Sequence, residues 1–282
     1  MPSSIKDKIN PKDFFSRINS YPDKNLGQNF IKDLRVINRI ADVAGLCEDD
    51  DVLEIGPGMG ALTYKLSQIA KRVIAIEKDA KLYDHLSVLF DGYTNLELIN
   101  NDALKEDFGA LYYGNKLKVI ANLPYSVSTP LLFKFLETRQ NYSCLVLMLQ
   151  LEVGERIAAA PGSKTYGSIS VLLQTYADIS TEFRVSPESF WPKPKVDSVV
   201  LKIVPLDTPR IDISDDNQFE RIVRASFSSR RKMLPNSLES IMPKKTAQEA
   251  LDLAGIDQKR RAETLTVKEF GILAEKLRLL GV

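Results

Sequence analysis

Val52-Leu-Glu-Ile-Gly-Pro-Gly-Met-Gly-Ala61 decides the fold of this chain. A short β-branched run passes directly into glycines at 56, 58 and 60, and a helical pattern with Leu62, Leu66 and Ile69 in phase follows. Glycines between a strand and a helix let the backbone turn tightly and approach a ligand closely. Outward from this point the alternation repeats. The spacing predicts strands at Val52–Ile55, Val73–Glu77, Leu96–Asn100, Lys118–Ala121, Cys144–Leu149, Thr181–Val185 and Ser198–Val204, with helical segments between the earlier ones. Such alternation builds βαβ units and a mostly parallel sheet covered on both faces. The last two strands are joined only by a short proline-rich stretch, which predicts an antiparallel final strand. Asp79 reads as the N-cap of the second helix, and Thr129-Pro130 as a cap before a first-turn proline.

Beyond Val204 the pattern turns helical, after a linker-like stretch with Pro205, Asp207, Pro209 and Asp215-Asp216. Thr266-Val-Lys-Glu269 is a capping box before a last amphipathic helix with Phe270, Leu273 and Leu277 in phase. Two domains are expected, an α/β domain over residues 1–205 and a small helical domain over 206–282.

Composition excludes several classes. The 282 residues are 44% hydrophobic and 27% charged, and no apolar run reaches the ~20 residues that span a bilayer. The first ten residues hold no apolar core of a secretory signal, so a cytoplasmic location and no membrane partner are expected. Two cysteines and a single histidine, His85, provide neither a disulfide framework nor a zinc site. No metal is expected. The formal net charge of +1 conceals an asymmetry: residues 217–282 carry 13 Lys+Arg against 8 Asp+Glu, and the rest 25 against 29. A basic segment suits an anionic partner, although a Lys/Arg-rich helical region is more often simply a solvated face.

Three successive strand ends carry candidate cofactor contacts: Glu54 with Gly56, Gly58 and Gly60, then Glu77 with Lys78, then Asp102-Ala103. Glu77, nineteen residues past Gly58, stands where a carboxylate accepts hydrogen bonds from a ribose diol. Gly56, Gly58 and Ala61 also satisfy a dinucleotide fingerprint. Glu54, however, would repel a pyrophosphate, whereas the cationic amino-acid end of S-adenosyl-L-methionine can sit beside it. The fourth strand ends in Asn122-Leu123-Pro124-Tyr125. A carboxamide oxygen and the Leu123 or Pro124 carbonyl can accept both N–H bonds of an exocyclic amine and aim its lone pair at a methyl group. Tyr125 can stack on the base.

With these residues in order, the chain resembles the rRNA adenine dimethyltransferase family, from Lys24 to about Phe270. The resemblance rests on Leu26-Gly-Gln-Asn-Phe30, the glycine motif, Glu77, Asp102, Asn122-Leu-Pro-Tyr125, Phe190-Trp-Pro-Lys-Pro-Lys-Val-Asp197 and Arg230-Arg-Lys232. It implies a Rossmann-like class I methyltransferase sheet with an all-helical C-terminal domain. The expected activity is N6,N6-dimethylation of two adjacent adenosines near the 3′ end of small-subunit rRNA, with S-adenosyl-L-homocysteine as product and a role in ribosome biogenesis. Gln28 and Asn29 would contact the methionine end of the cofactor, Glu77 its ribose and Asp102 its adenine. Asn122 and Tyr125 would hold the target base, with Phe190 as the second stacking ring. Asn101, Leu123 and Pro235 depart from the family pattern, and Pro235 bears on the local helix. The substrate would be rRNA within an assembling 30S subunit, met by a monomer. Arg221, Arg224, Arg230, Arg231 and Lys232 would track phosphates, with 221, 224 and 231 on one helical face. Two other readings stay open. One is a large-subunit rRNA methyltransferase of the macrolide-resistance type, against which Gly27, Asp197 and the Arg-Arg-Lys region lean. The other is a non-catalytic nucleic-acid-binding or assembly factor.

Overall fold

The computed structural model describes residues 11–17, 21–23, 26–124 and 127–281. In chain order the elements are α1 (Pro11–Arg17), β1 (Phe30–Ile31), α2 (Leu34–Val43), β2 (Asp51–Ile55), α3 (Ala61–Ser67), β3 (Arg72–Glu77), α4 (Ala80–Leu89), β4 (Leu96–Asn100), β5 (Leu117–Asn122) and α5 (Ser128–Glu137). They continue with β6 (Tyr142–Gln150), α6 (Leu151–Ile157), α7 (Ser168–Tyr176), β7 (Ala177–Val185), β8 (Phe190–Trp191), β9 (Ser198–Pro205), α8 (Asp216–Ser226), α9 (Leu234–Leu238), α10 (Lys244–Leu253) and α11 (Val267–Leu279).

Seven strands form one sheet in the order β4-β3-β2-β5-β6-β9-β7. β4, β3, β2, β5 and β6 are parallel, and β9 runs antiparallel to β6, as the sequence pattern requires. Val52, Val119, Ile120, Val146 and Leu147 have no exposed surface, which is why these strands read as unbroken apolar runs rather than alternating ones. The chain winds from β2 through β3 to β4 on one side and returns to β5 on the other. The carboxyl ends of β2 and β5 therefore flank a topological switch point, where ligands of open α/β sheets bind. β1 and β8 form a separate two-stranded antiparallel ribbon.

Local signals explain the helix ends. Asp79 caps α4 by accepting the Lys81 and Leu82 N–H groups. Thr266 and Glu269 close the capping box of α11, and Arg260 pairs with Glu269 besides. Pro235 sits in the first turn of α9, where a missing N–H costs nothing, so it starts a helix rather than breaking one. Thr129 does not cap α5. That helix begins at Ser128 after Val127, and Thr129 and Pro130 lie within its first turn.

The compact units differ from a single cut at residue 205. One comprises the residues up to Gly154 with Ser180–Pro205; the other joins Glu155–Ile179 to Leu206–Val282. The correction concerns α7, whose Ile169, Val171, Leu172 and Leu173 are buried in the helical unit. There the ring of Tyr166 packs edge-on against Phe227, which packs on Phe270. Gly162 donates to the Glu263 carbonyl in the same unit. No helix among the described residues is long and apolar enough to cross a membrane.

Candidate active site

Glu54, Glu77, Asp102 and Asn122 lie at or just beyond the ends of β2, β3, β4 and β5, so parallel pairing carries all four to one edge of the sheet. They line a single solvent-open cleft of about 1220 Å³, the open space at its mouth included. Gln28, Asn29, Gly56, Gly58, Lys78, Ala103, Leu123 and Pro124 line the same cleft.

The glycine loop is held from below by Glu77. One of its carboxylate oxygens accepts the Gly58 N–H at 3.0 Å, the other the Asp79 N–H at 2.9 Å. Burial raises the Glu77 carboxyl above its ordinary range, and these two N–H groups counter the rise. Gly58 has φ +60°, and a Cβ there would stand 2.8 Å from the Phe30 ring. Gly60 differs from its neighbours. At φ +82°, a Cβ on it would meet Leu86 and Phe90 at 2.8 Å, and it does not line the cleft. It lets α3 pack closely onto α4, a packing role that the glycine spacing alone does not distinguish from ligand approach.

Glu54 is 1% exposed, and its Oε2 has no hydrogen-bond partner among the described residues. Burial pushes its carboxyl up to about 8; the neighbouring Thr63 hydroxyl acts against this, and the charge of Glu77 adds to it. A buried carboxyl oxygen without a donor, on a cleft wall, fits a ligand bearing an ammonium group. Asp102 is of the opposite kind. Lys78 lies 2.8 Å from its Oδ2 and holds it below the ordinary carboxylate range, so it stays an anion and an acceptor. Asn101 tightens the turn beneath it, accepting the Asp102 N–H and donating to Glu106.

The Asn122 side chain is oriented by the segment before β1. Its Nδ2 donates to the Asn29 carbonyl at 2.9 Å, and the Asn29 amide in turn donates to the Gly27 carbonyl. With Nδ2 engaged, the Asn122 Oδ1 is the acceptor left for a ligand. Gln28 lines the cleft with both ends of its amide occupied: Oε1 accepts the Asp23 N–H, and Nε2 donates to Asp79 Oδ2 at 2.9 Å. It clasps the chain segment at residue 23 to the start of α4. Asp79 thus carries a second task beyond helix capping, for which the sequence has no signal.

Two expectations fail on geometry. Phe190 is 1% exposed, belongs to the hydrophobic core and is not among the residues that line the cleft. Arg231 shares no helical face with Arg221 and Arg224, since α8 ends at Ser226 and the basic triplet lies in the turn before α9. All five basic residues are exposed. Arg221 donates to the Ile241 carbonyl, Arg224 pairs with Glu220, and Arg230 donates to the Lys164 carbonyl. Tyr125 lies outside the described residues.

The chain is similar to known proteins over nearly its whole length. A family model described as ribosomal RNA adenine dimethylase matches residues 20–278. A ribosomal RNA small subunit methyltransferase A from Geobacter metallireducens is 45% identical over 264 residues, covering 92% of this chain and 96% of its own. One of the same name from Clostridium botulinum is 44% identical over 269 residues, covering 95% and 98%. A solved dimethyladenosine transferase from Plasmodium falciparum superposes with a TM-score of 0.76 at 28% identity, covering 90% of this chain and 98% of its own. The 23S rRNA methyltransferase ErmE gives 0.67 at 25% identity, covering 88% and 99%.

Proposed function

Because the chain belongs to the ribosomal RNA adenine dimethylase family, we propose that it places two methyl groups on N6 of each of two adjacent adenosines near the 3′ end of small-subunit rRNA. S-adenosyl-L-methionine, when bound, supplies an electrophilic methyl on a sulfonium. Glu54 receives its ammonium end, Glu77 its ribose hydroxyls and Asp102 the amine of its adenine. Asn29 and Gln28 border the methionine end, and Gln28 also clasps the wall through Asp23 and Asp79. The placement of two groups on one cleft carries this reading: the Asn29 carbonyl holds Asn122 Nδ2, which turns Oδ1 to the ligand, and Glu54 Oε2 is buried with no hydrogen-bond partner among the described residues.

The target amine of adenine is a weak nucleophile because its lone pair is spread into the ring. Asn122 Oδ1 and the Leu123 or Pro124 carbonyl accept its two N–H bonds and strengthen as positive charge develops on N6 in the transition state. The N6–C bond forms as the S–C bond breaks. The methylated N6 then passes a proton to solvent, so no strong base is needed at Asn122, and a second round follows on the monomethylated base. Tyr125, next in sequence, provides the aromatic face for the base.

The basic stretch with Arg221, Arg224, Arg231 and Lys232 offers phosphate contacts for selecting the RNA, since one adenine pocket cannot choose a site in a ribosomal RNA. The helical unit, residues 155–179 with 206–282, is the RNA-recognition part, and the sheet-bearing unit the methyltransferase part. The protein acts in the cytoplasm as a monomer on an assembling small subunit. In a test, purified protein is supplied with radiolabelled S-adenosyl-L-methionine and either unmethylated small-subunit particles or large-subunit RNA. Label recovered as N6,N6-dimethyladenosine from the small-subunit substrate alone is expected. Label in large-subunit RNA instead overturns the assignment.

A further inference from the structure

Directly after the cleft-lining Ile31, the β1–β8 ribbon carries charges that the mechanism above does not use. β1 brings Phe30 and Ile31 to the cleft wall, and β8 pairs with it, Ile31 opposite Phe190 and Phe30 opposite Trp191. The ribbon extends by one more bond, from the Lys32 N–H to the Ser189 carbonyl at 2.9 Å. At this end three charged side chains are exposed together: Lys32, Glu188 and Lys193. The Glu188 carboxylate pairs with the Lys193 ammonium. That hydrogen bond, the charge of Lys193 and, more weakly, the charge of Lys32 hold the Glu188 carboxyl below its ordinary range. Two lysines thus face one carboxylate.

Fold stability does not account for this cluster. The pairing side chains are 71% and 59% exposed, and ion pairs in such surroundings contribute little. Position does account for it. A nucleotide whose base enters the cleft leaves its flanking phosphates at the mouth, because base extrusion turns the base inward and keeps the backbone outside. Unpaired lysines there would hold phosphates of any sequence, as such contacts carry no base information. A carboxylate on the same lysines is a competitor that each phosphate must displace.

We propose that Lys32, Lys193 and Glu188 form a phosphate-exchange site at the cleft mouth, in which Glu188 occupies the place of the RNA phosphate flanking the target adenosine. RNA binding moves Lys193 from the carboxylate to the phosphodiester, so weakly docked RNA is rejected and only RNA anchored elsewhere overcomes the exchange. The inference rests on the adenosine-methylating reading above.

The test compares wild type, Glu188→Gln, Lys193→Ala and the double variant with the small-subunit RNA substrate, measuring affinity by fluorescence anisotropy against salt and KM against kcat. Glu188→Gln should tighten RNA binding about two- to fivefold at low salt, an effect that fades as salt rises. Lys193→Ala should weaken binding and flatten the log–log salt slope by about 0.7, one phosphate contact on a single strand. In the Lys193→Ala background Glu188→Gln should no longer tighten binding to the same degree. Unchanged or weaker binding by Glu188→Gln overturns the proposal. So does equal tightening with and without Lys193, or equal tightening by Glu97→Gln on the edge strand β4, because Glu188 would then act only as diffuse charge. The two readings part cleanly: absence of dimethyladenosine with the wild-type protein defeats the functional reading. Its presence with an unaltered Glu188→Gln response defeats this proposal alone.

Discussion

Replacing Glu54 with glutamine should remove the pH dependence of cofactor binding. In the free protein the Glu54 carboxyl, buried and without a donor on Oε2, is pushed up to about 8, so near neutral pH most molecules hold it protonated. Docking of an ammonium group beside it favours the anion, and binding must then expel a proton. Well below pH 8 the apparent affinity for S-adenosyl-L-methionine should rise up to tenfold per pH unit. Between pH 6 and 7.5 that amounts to about 20-fold. Calorimetry in buffers of different ionisation enthalpy reads the proton directly: nearly one released near pH 6 by the wild type, and far less by Glu54→Gln. The variant's affinity should also be weaker by a charged hydrogen bond, about 1.5–3 kcal/mol, wherever Glu54 would be ionised. The same shift has a consequence for stability. Between the unfolded carboxyl's 4.5 and about 8 the folded state binds the extra proton, so Glu54 makes the free protein less stable as pH rises through that window. Equal pH slopes and equal proton release in wild type and Glu54→Gln would refute the ammonium assignment.

Other substitutions separate binding, rate and packing. Asn122→Ala removes an acceptor whose direction is set by Asn29; single-turnover methyl transfer should fall about 10²–10³-fold while cofactor affinity stays within a few-fold. Phe190→Ala should cost about 3–5 kcal/mol in denaturant unfolding, as a core ring does, and a stable variant with impaired base binding would restore the stacking role. Gly60→Ala forces a Cβ against Leu86 and Phe90 and should cost about 1–3 kcal/mol in thermal unfolding. Its cofactor affinity should fall far less than that of Glu77→Ala, which removes both the ribose acceptor and the anchor of Gly58.

The sheet is readable because its central strands are buried on both faces and appear as largely apolar runs with a polar residue at or near the carboxyl end. Glu54, Glu77, Asp102 and Asn122 follow from that regularity, since parallel pairing brings equivalent strand ends together. Residues whose role depends on what they face were not readable. Gly56 and Gly60 look alike in sequence, yet one borders the cleft and the other Leu86 of α4 and the Phe90 ring just beyond it. Phe190 stands in an aromatic, proline-rich stretch that suits a pocket or a core, and only its burial among core residues in the folded chain decides. The apolar pattern of Ile169, Leu172 and Leu173 announces a buried helix face without saying which unit buries it. Arg231 shares a helical phase with Arg224 only on a helix that runs past Ser226, and α8 ends there.

The most direct test is mass spectrometry of ribosomal RNA from cells lacking this protein, complemented with the wild-type chain or with Asn122→Ala. The account predicts two adjacent N6,N6-dimethyladenosines near the 3′ end of small-subunit rRNA, absent without the protein, restored by wild type and not by Asn122→Ala. Both modifications persisting in cells without the protein, or returning in full with Asn122→Ala, would contradict it.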